Sequence, residues 1–348
     1  MHLTHLSLTN FRNYSRLDVE VPSGAIILTG NNAQGKTSLL EAVYYLATFS
    51  SFHAENDRQL VNFLSVAEPL AVARIQARYL LAGVEHSLEV RIIQERNGLK
   101  NELRSRKEVL LDGGKKRFGE VLGSFNAVLF IPQMMRIIDG PPEERRRYLD
   151  LALAQTAPPY AAALVEYRKV LAQRNALLRQ LSERGGDAGQ LAYWDEELVE
   201  MGARIIYARI QAIAEIERFG ARIHRDLTRS AEVFRLEYQP GFDPLPRSAN
   251  QYALPMDAPV DRSGIPLDQI RGGFRRRLEE LRVEEIARGV TTAGPHRDEL
   301  RLLGNGIDLG AFGSRGQMRT ALLTLKLAEV EWMREKTGHW PVVLLDDV

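Results

Sequence analysis

Nine consecutive residues near the start of the chain, Gly30, Asn31, Asn32, Ala33, Gln34, Gly35, Lys36, Thr37 and Ser38, have the types and spacing of a loop that cradles phosphate. The glycines let the backbone turn tightly, so that successive N–H groups point at phosphate oxygens while the following helix N-terminus adds the positive end of its dipole. Lys36 is placed to reach the β- and γ-phosphates of a nucleoside triphosphate, and Thr37 to offer its hydroxyl to Mg²⁺. Toward the other end, the apolar run Val342 to Leu345 closes on Asp346 and Asp347. A carboxylate at the tip of such a strand can hold Mg²⁺ directly or through water, while its neighbour orients the attacking water. Alone, the glycines fit a plain strand-helix turn, and a strand ending in acids is common. Together they predict ATP and Mg²⁺ as cofactors, with Lys36, Asp346 and Asp347 as catalytic candidates and Thr37 and Asp346 on the metal.

A third group, Ser314, Arg315, Gly316 and Gln317, opens a predicted helix. Serine at the cap with glutamine three residues on is a capping box, which needs no ligand. The same exposed helix start, with a hydroxyl, a glycine permitting close approach and Arg319 nearby, also makes an anion site. Both readings stand together.

The elements that must position these groups follow from periodicity. Alternation over Leu3–Leu8 and Leu17–Val21 and the run Ala25–Thr29 predict strands leading into the glycine loop, and a helix from about Lys36 to Ala47 follows it. From Leu70 to Leu111, alternating stretches separated by Gly83, Asn97-Gly98 and Asp112-Gly113 predict antiparallel strands with turns. Asn126–Ile131 reads as a buried strand. Glu143 to about Ser182 and Leu191 to about Ser230 favour two long helices. Their stripes, Leu164, Tyr167, Leu171, Leu178 and Leu181 against Leu191, Trp194, Leu198, Met201, Ile205 and Ala208, suit an antiparallel pair packed within the protein. Six prolines between Gln239 and Pro266 mark a connector. A basic helix over Arg271–Arg288, strands around Leu300–Leu303 and Ile307–Leu309 joined by Gly304-Asn305-Gly306, and a helix from Arg315 to Lys336 complete the pattern.

A chain of 348 residues divides into two or more lobes. It has no cysteine, which excludes a disulfide framework and a thiolate metal site and fits a reducing cytoplasm. No apolar run reaches the length of a spanning helix, and the alternating N-terminus is unlike a signal peptide. The net charge of +1 confines any nucleic-acid contact to local patches. Arg145, Arg146 and Arg147, and Arg271, Arg275 and Arg276, are the candidates for phosphate neutralisation, against the plainer reading of solvated helix faces paired with Glu279, Glu280, Glu284 and Glu285.

The glycine loop running into Leu39 and Ala42, the stretch from Phe130 through Gly140 to Asp150, Gln173 to Leu178, Trp194-Asp195, Gly294-Pro295-His296-Arg297-Asp298 and Ser314 to Thr320 together resemble RecF, the bacterial recombinational repair ATPase family related to SMC and ABC ATPases. The likeness covers nearly the whole chain, and Gly294–Asp298 is more specific to the family than any nucleotide motif. It implies an α/β fold: an ABC/SMC-type P-loop ATPase head with an inserted helical lobe of antiparallel long helices. Residues 1–140 and 271–348 would form the ATPase lobe, 141–238 the helical lobe and 239–270 the connector. It further implies a head-to-head homodimer on ATP, each nucleotide held between Gly30–Ser38 of one subunit and Ser314, Gly316 and Gln317 of the other. Weak hydrolysis would release a clamp on duplex or gapped DNA, and RecR- and RecO-like mediators would be partners in recombinase loading.

Four positions depart from the family pattern. Gln133-Met134 stands where Glu-Asp is usual, which makes Gln133 a candidate Mg²⁺ or water contact; Arg315 and Met318 replace glutamines; His53 replaces an arginine; and Val348 falls before the family's Ser-x-Leu-Asp loop, as expected of a truncated chain. The competing functions are an ATPase subunit of a transport system, against which Gly294–Asp298 and the helical insertion argue, and a non-hydrolysing DNA scaffold.

Overall fold

The computed structural model describes residues 1–65, 68–97, 102–245 and 260–347. The chain divides into two compact units, residues 1–132 with 333–348 and residues 133–332.

The first unit is built on a six-stranded antiparallel sheet. Its strands are β1 (His2–Phe11), β2 (Tyr14–Glu20), β3 (Leu70–Leu81), β4 (Val84–Asn97), β5 (Glu102–Leu111) and β6 (Gly114–Lys116), in the order β2-β1-β3-β4-β5-β6. The alternation works as expected: Leu6, Leu8, Ile75, Ala77, Val90 and Ile92 are buried on one face. Helix α1 (Lys36–Thr48) contacts β3 and β4, and also β7 (Ala127–Phe130), which follows the short α2 (Phe118–Val121). β7 pairs in parallel with the terminal strand, Val342–Leu345, in the register Val342↔Ala127 to Leu345↔Phe130.

One expected strand is absent. Residues 25–29 form no regular element, and Ile27 is 84% exposed. A strand needs a neighbour to take its backbone hydrogen bonds, and among the described residues the terminal strand pairs only with β7. The turn at Ala82-Gly83 and that at Asp112-Gly113 are present, while Gly98 lies outside the described residues.

The second unit carries α3 (Arg136–Asp139), α4 (Pro142–Thr156), α5 (Pro158–Arg184), α6 (Leu191–Leu227), β8 (Phe234–Gln239), α7 (Leu267–Arg288), β9 (Glu299–Gly304), β10 (Ile307–Asp308), α8 (Leu309–Phe312) and most of α9 (Arg315–Thr337); the terminal strand becomes β11. The segment read as one helix from Glu143 is two. Pro158 has no N–H to donate and restricts Ala157 to φ −137°, so α4 ends there and α5 starts afresh. α5 and α6 form the expected pair, burying Tyr167, Leu178 and Leu181 with Leu191, Leu198 and Ile205. α7 packs on both, so residues 271–332 fall in the same compact unit as the helical pair, a division by packing that differs in its bounds from the four expected segments. Leu309, read as strand, starts α8 because the Asp308 side chain accepts from Gly310 N. Of the connector, residues 246–259 lie outside the described set. Its flanks are tied by Arg262, which binds the Asp243 carboxylate at 2.7 Å and the Tyr238 carbonyl at 3.0 Å.

Candidate functional site

The glycine loop has the backbone that its sequence demands. Gly30 and Gly35 sit at φ 144° and 96°, and Ala33 at 63°. At Gly35 a Cβ would lie 2.7 Å from both Asn13 Nδ2 and the Tyr14 hydroxyl, so only glycine fits, and Tyr14 donates to the Gly35 carbonyl at 3.2 Å. Residues 30–34 are exposed, and α1 begins without a side-chain cap. Its first amides are thus left for an anion. Lys36 Nζ donates to the carbonyls of Gly30 and Asn31 at 2.8 and 2.9 Å, arching over its own loop.

The structure brings the two ends of the chain together. Asp346 N donates to the Phe130 carbonyl at 3.0 Å, extending the β7–β11 register by one residue, and this places the Asp346 carboxylate where the Thr37 hydroxyl donates to it at 2.7 Å. A hydroxyl and a carboxylate oxygen at that separation fit Mg²⁺, which takes hard oxygens and keeps most of its remaining positions for phosphate and water. Among the described residues no three His, Asp, Glu or Cys side chains gather into a metal cage. Asp347 is exposed, with φ 49°. Gln133 is exposed in the single turn Pro132–Met135.

Behind the loop lies an arrangement that motif reading missed. Arg12, held at φ 52° between β1 and β2, makes a bidentate pair with buried Glu41 of α1, both N–O distances 2.7 Å, and donates to the Gln59 carbonyl at 3.0 Å. Ser51 donates to the same carboxylate and accepts from the amides of His53 and Ala54 at 2.9 and 2.6 Å. A cavity of about 540 Å³ opens here, lined by Arg12, Asn13, Thr37, Ser38, His53 and Phe63 among others. The available signal was Glu41, a carboxylate on the face of α1 that otherwise reads as apolar.

In the second unit the capping box is formed in both directions. Ser314 N donates to Gln317 Oε1 at 2.9 Å and Gln317 N to Ser314 Oγ at 3.2 Å; Ser314, Arg315, Gly316 and Arg319 are exposed. The Gln317 amide nitrogen also donates to Glu232 at 2.8 Å.

The arginines read as phosphate contacts are mostly committed elsewhere. Arg145 is 9% exposed, binds Glu299 bidentately at 2.5 and 2.8 Å and donates to the Gly140 carbonyl at 2.8 Å. It is an internal anchor, which removes it from the DNA-contact set. Arg146 donates to the Asp298 carbonyl at 2.7 Å and pairs with Glu143. Arg271 is matched by Glu200 and Asp268, and Arg275 by Glu196. Arg147 and Arg276 are the exposed members.

Gly294–Asp298 is the centre of a buried polar network. A Cβ at Gly294 would lie 2.6 Å from the Tyr167 hydroxyl. That hydroxyl meets His296 Nδ1 at 2.6 Å, and Nε2 lies 3.2 Å from the Thr291 carbonyl, which fixes a neutral ring protonated at Nε2; burial lowers its pKa to about 4. Burial raises the Asp298 pKa, against Arg209 at 2.6 Å, the Tyr238 hydroxyl and Gly241 N. Arg209 also reaches Asp150 at 2.8 Å and the Pro295 carbonyl at 2.7 Å. Nearby, fully buried Arg174 binds Asp195, Glu285 and Thr291, each at 2.7 Å.

The antiparallel sheet, the glycine loop leading into α1, the acid-tipped parallel strand and the long helix pair define an ABC/SMC-type P-loop ATPase head with an inserted helical lobe. A family described as "AAA domain" matches residues 5–134. The DNA replication and repair protein RecF of Chloroflexus aggregans is 39% identical over all of this chain and 86% of its own length, and that of Bacillus subtilis 32% identical over 100% and 86%. A solved structure described as the recombination mediator protein RecF-ATPrS in the RecFOR pathway superposes with a TM-score of 0.84 at 32% identity, covering 100% of this chain and 85% of that one. The chain belongs to the RecF family of DNA replication and repair proteins. No helix among the described residues is long and apolar enough to cross a membrane.

Proposed function

We propose that this protein is a cytoplasmic DNA-repair ATPase that binds ATP with Mg²⁺, pairs head to head with a second copy while ATP is bound, and holds duplex or gapped DNA in that state. Weak hydrolysis releases it, and RecO- and RecR-like mediators act with it in recombinase loading. Its RecF relatives, and two solved structures described as RecF with ATP or its analogue in the RecFOR pathway, support this reading.

The observation that carries it is the Thr37–Asp346 contact at 2.7 Å beside an uncapped helix start. Phosphate oxygens replace the Gly30 and Asn31 carbonyls on Lys36, and the loop amides of residues 31–38 complete the cradle. Thr37 and Asp346 would hold Mg²⁺, with Gln133 the candidate for an outer contact, and the ion would supply positive charge against that developing on the phosphates. Asp347 orients water. Arg12, locked by Glu41, and His53 line the space beside Ser38 that accepts the nucleoside end. One loop leaves a side of the γ-phosphate uncovered, and Ser314, Gly316 and Gln317 of a second copy supply the missing donors. In functional terms residues 1–140 and 271–348 act as the ATPase lobe, with 141–238 as the helical lobe and 239–270 as the connector.

Lys36→Ala is expected to abolish ATP binding and ATP-induced dimerisation. Equilibrium binding of a fluorescent ATP analogue and sedimentation with ATP test this, and undiminished dimerisation of the variant would refute it.

A further inference from the structure

Gln317 does more than close a capping box. Its Oε1 accepts from Ser314 N while its Nε2 donates to Glu232 Oε1 at 2.8 Å. An amide side chain can sit in either of two flipped orientations of nearly identical shape. A carboxylate, having only acceptors, tolerates one of them: Nε2 must face Glu232, and Oε1 is thereby turned to the Ser314 amide. The capping box alone is indifferent to what lies beyond the glutamine, and a carboxylate there is not part of the motif.

Glu232 is itself anchored. Its other oxygen lies 3.3 Å from Nε2 of His224, which is fully buried near the C-terminal end of α6, and His224 Nδ1 lies 2.8 Å from the hydroxyl of buried Thr324 on α9. The Phe234 ring packs 5.3 Å from the imidazole, and a Cβ at Gly220 would lie 2.9 Å from that phenyl ring, so the histidine has little room. The loop carrying Glu232 is pinned at its far side, where Val233 N donates to Asn305 Oδ1 at 2.8 Å and Asn305 N donates to the Val233 carbonyl at 2.9 Å. With the Ser314 Oγ lone pair taken by Gln317 N, the exposed hydroxyl hydrogen of Ser314 is available to an acceptor outside the chain.

We propose that Glu232 is a positioning residue for the ATP-dependent pairing of two copies: by selecting the orientation of the Gln317 amide it keeps Oε1 on the Ser314 main-chain N–H and so holds in place the residue whose hydroxyl faces outward, and through His224 it ties that hold to the end of the long helix α6. This inference rests on the proposed ATP-dependent dimer.

The test uses Gln317→Glu and Glu232→Gln, alone and together. Glutamate satisfies the capping box as well as glutamine does, so Gln317→Glu keeps the helix start and sets its carboxylate against Glu232. Sedimentation with ATP and Mg²⁺ measures association, and binding of a fluorescent ATP analogue to dilute protein measures the P-loop. Gln317→Glu is expected to weaken association by about tenfold or more, the scale of one charge-assisted hydrogen bond, while Glu232→Gln alone leaves the ATP affinity of the dilute protein within about twofold of the parent. Glu232→Gln in the same chain restores association, because an amide can donate to the new carboxylate. Equal association of parent and Gln317→Glu, or a double variant no better than the single, overturns the proposal. A parent chain that binds ATP and stays single overturns the dimer itself, a different result from either.

Discussion

Lys36 arches over the carbonyls of Gly30 and Asn31, and Thr37 donates to Asp346, so both side chains lie at the proposed triphosphate site with protein partners that phosphate and Mg²⁺ would replace. The two roles separate at Asp346. Asp346→Asn keeps an oxygen for the Thr37 hydroxyl but removes the charge that favours Mg²⁺. The expected result is ATP binding within about threefold of the parent with hydrolysis lowered about 100-fold or more, read by phosphate release from a chain that hydrolyses ATP. Full hydrolysis by the variant would show that another group holds the metal. The left-handed glycines of the loop and the pairing of Thr37 with the acid at the strand tip were legible as residue types and spacing, while their roles toward phosphate and metal are proposals. Arg12, Glu41 and Ser51 were not, since their partnership joins three separate segments and leaves no local pattern.

At the scale of elements, alternation identified the strands of the first sheet, and three-and-four spacing identified the α5–α6 pair, because each period reports one buried face. The misreadings have equally physical origins. Residues 25–29 have strand composition, but a strand requires a neighbour. The helix from Glu143 has good propensity throughout, but Pro158 outweighs it. The segment Gly294–Asp298 read as a family marker, and in the structure it is packed inside the helical unit: Asp298 and Asp150 meet Arg209, tying the approach to β9, α4 and α6. A buried carboxylate that loses its cation costs far more than the pair itself contributes. Arg209→Met is therefore expected to lower stability by about 3–5 kcal/mol, seen as a shift of the urea midpoint at pH 7. A shift below about 1 kcal/mol would mean that the two aspartates find other partners or ionise less than the geometry implies.

For the whole molecule, an almost neutral chain leaves the proposed DNA binding to cations at its surface. Arg145 is buried against Glu299, whereas Arg147 and Arg276 are exposed. Each phosphate neutralised contributes about 0.9 to the slope of log affinity against log salt. Arg147→Ala with Arg276→Ala is expected to reduce that slope by about 1 to 2, while Arg145→Met leaves it unaltered and lowers the urea midpoint; a smaller slope for Arg145→Met would return that residue to the surface. The Thr37–Asp346 contact has a further meaning during synthesis. Its partners are separated by 309 positions, and closing a free loop of that length costs about 5 kcal/mol. Folding of the intervening helical unit shortens the effective loop, so the Thr37–Asp346 contact assembles late. A nascent or misfolded copy would therefore lack the contact on which the proposed site depends.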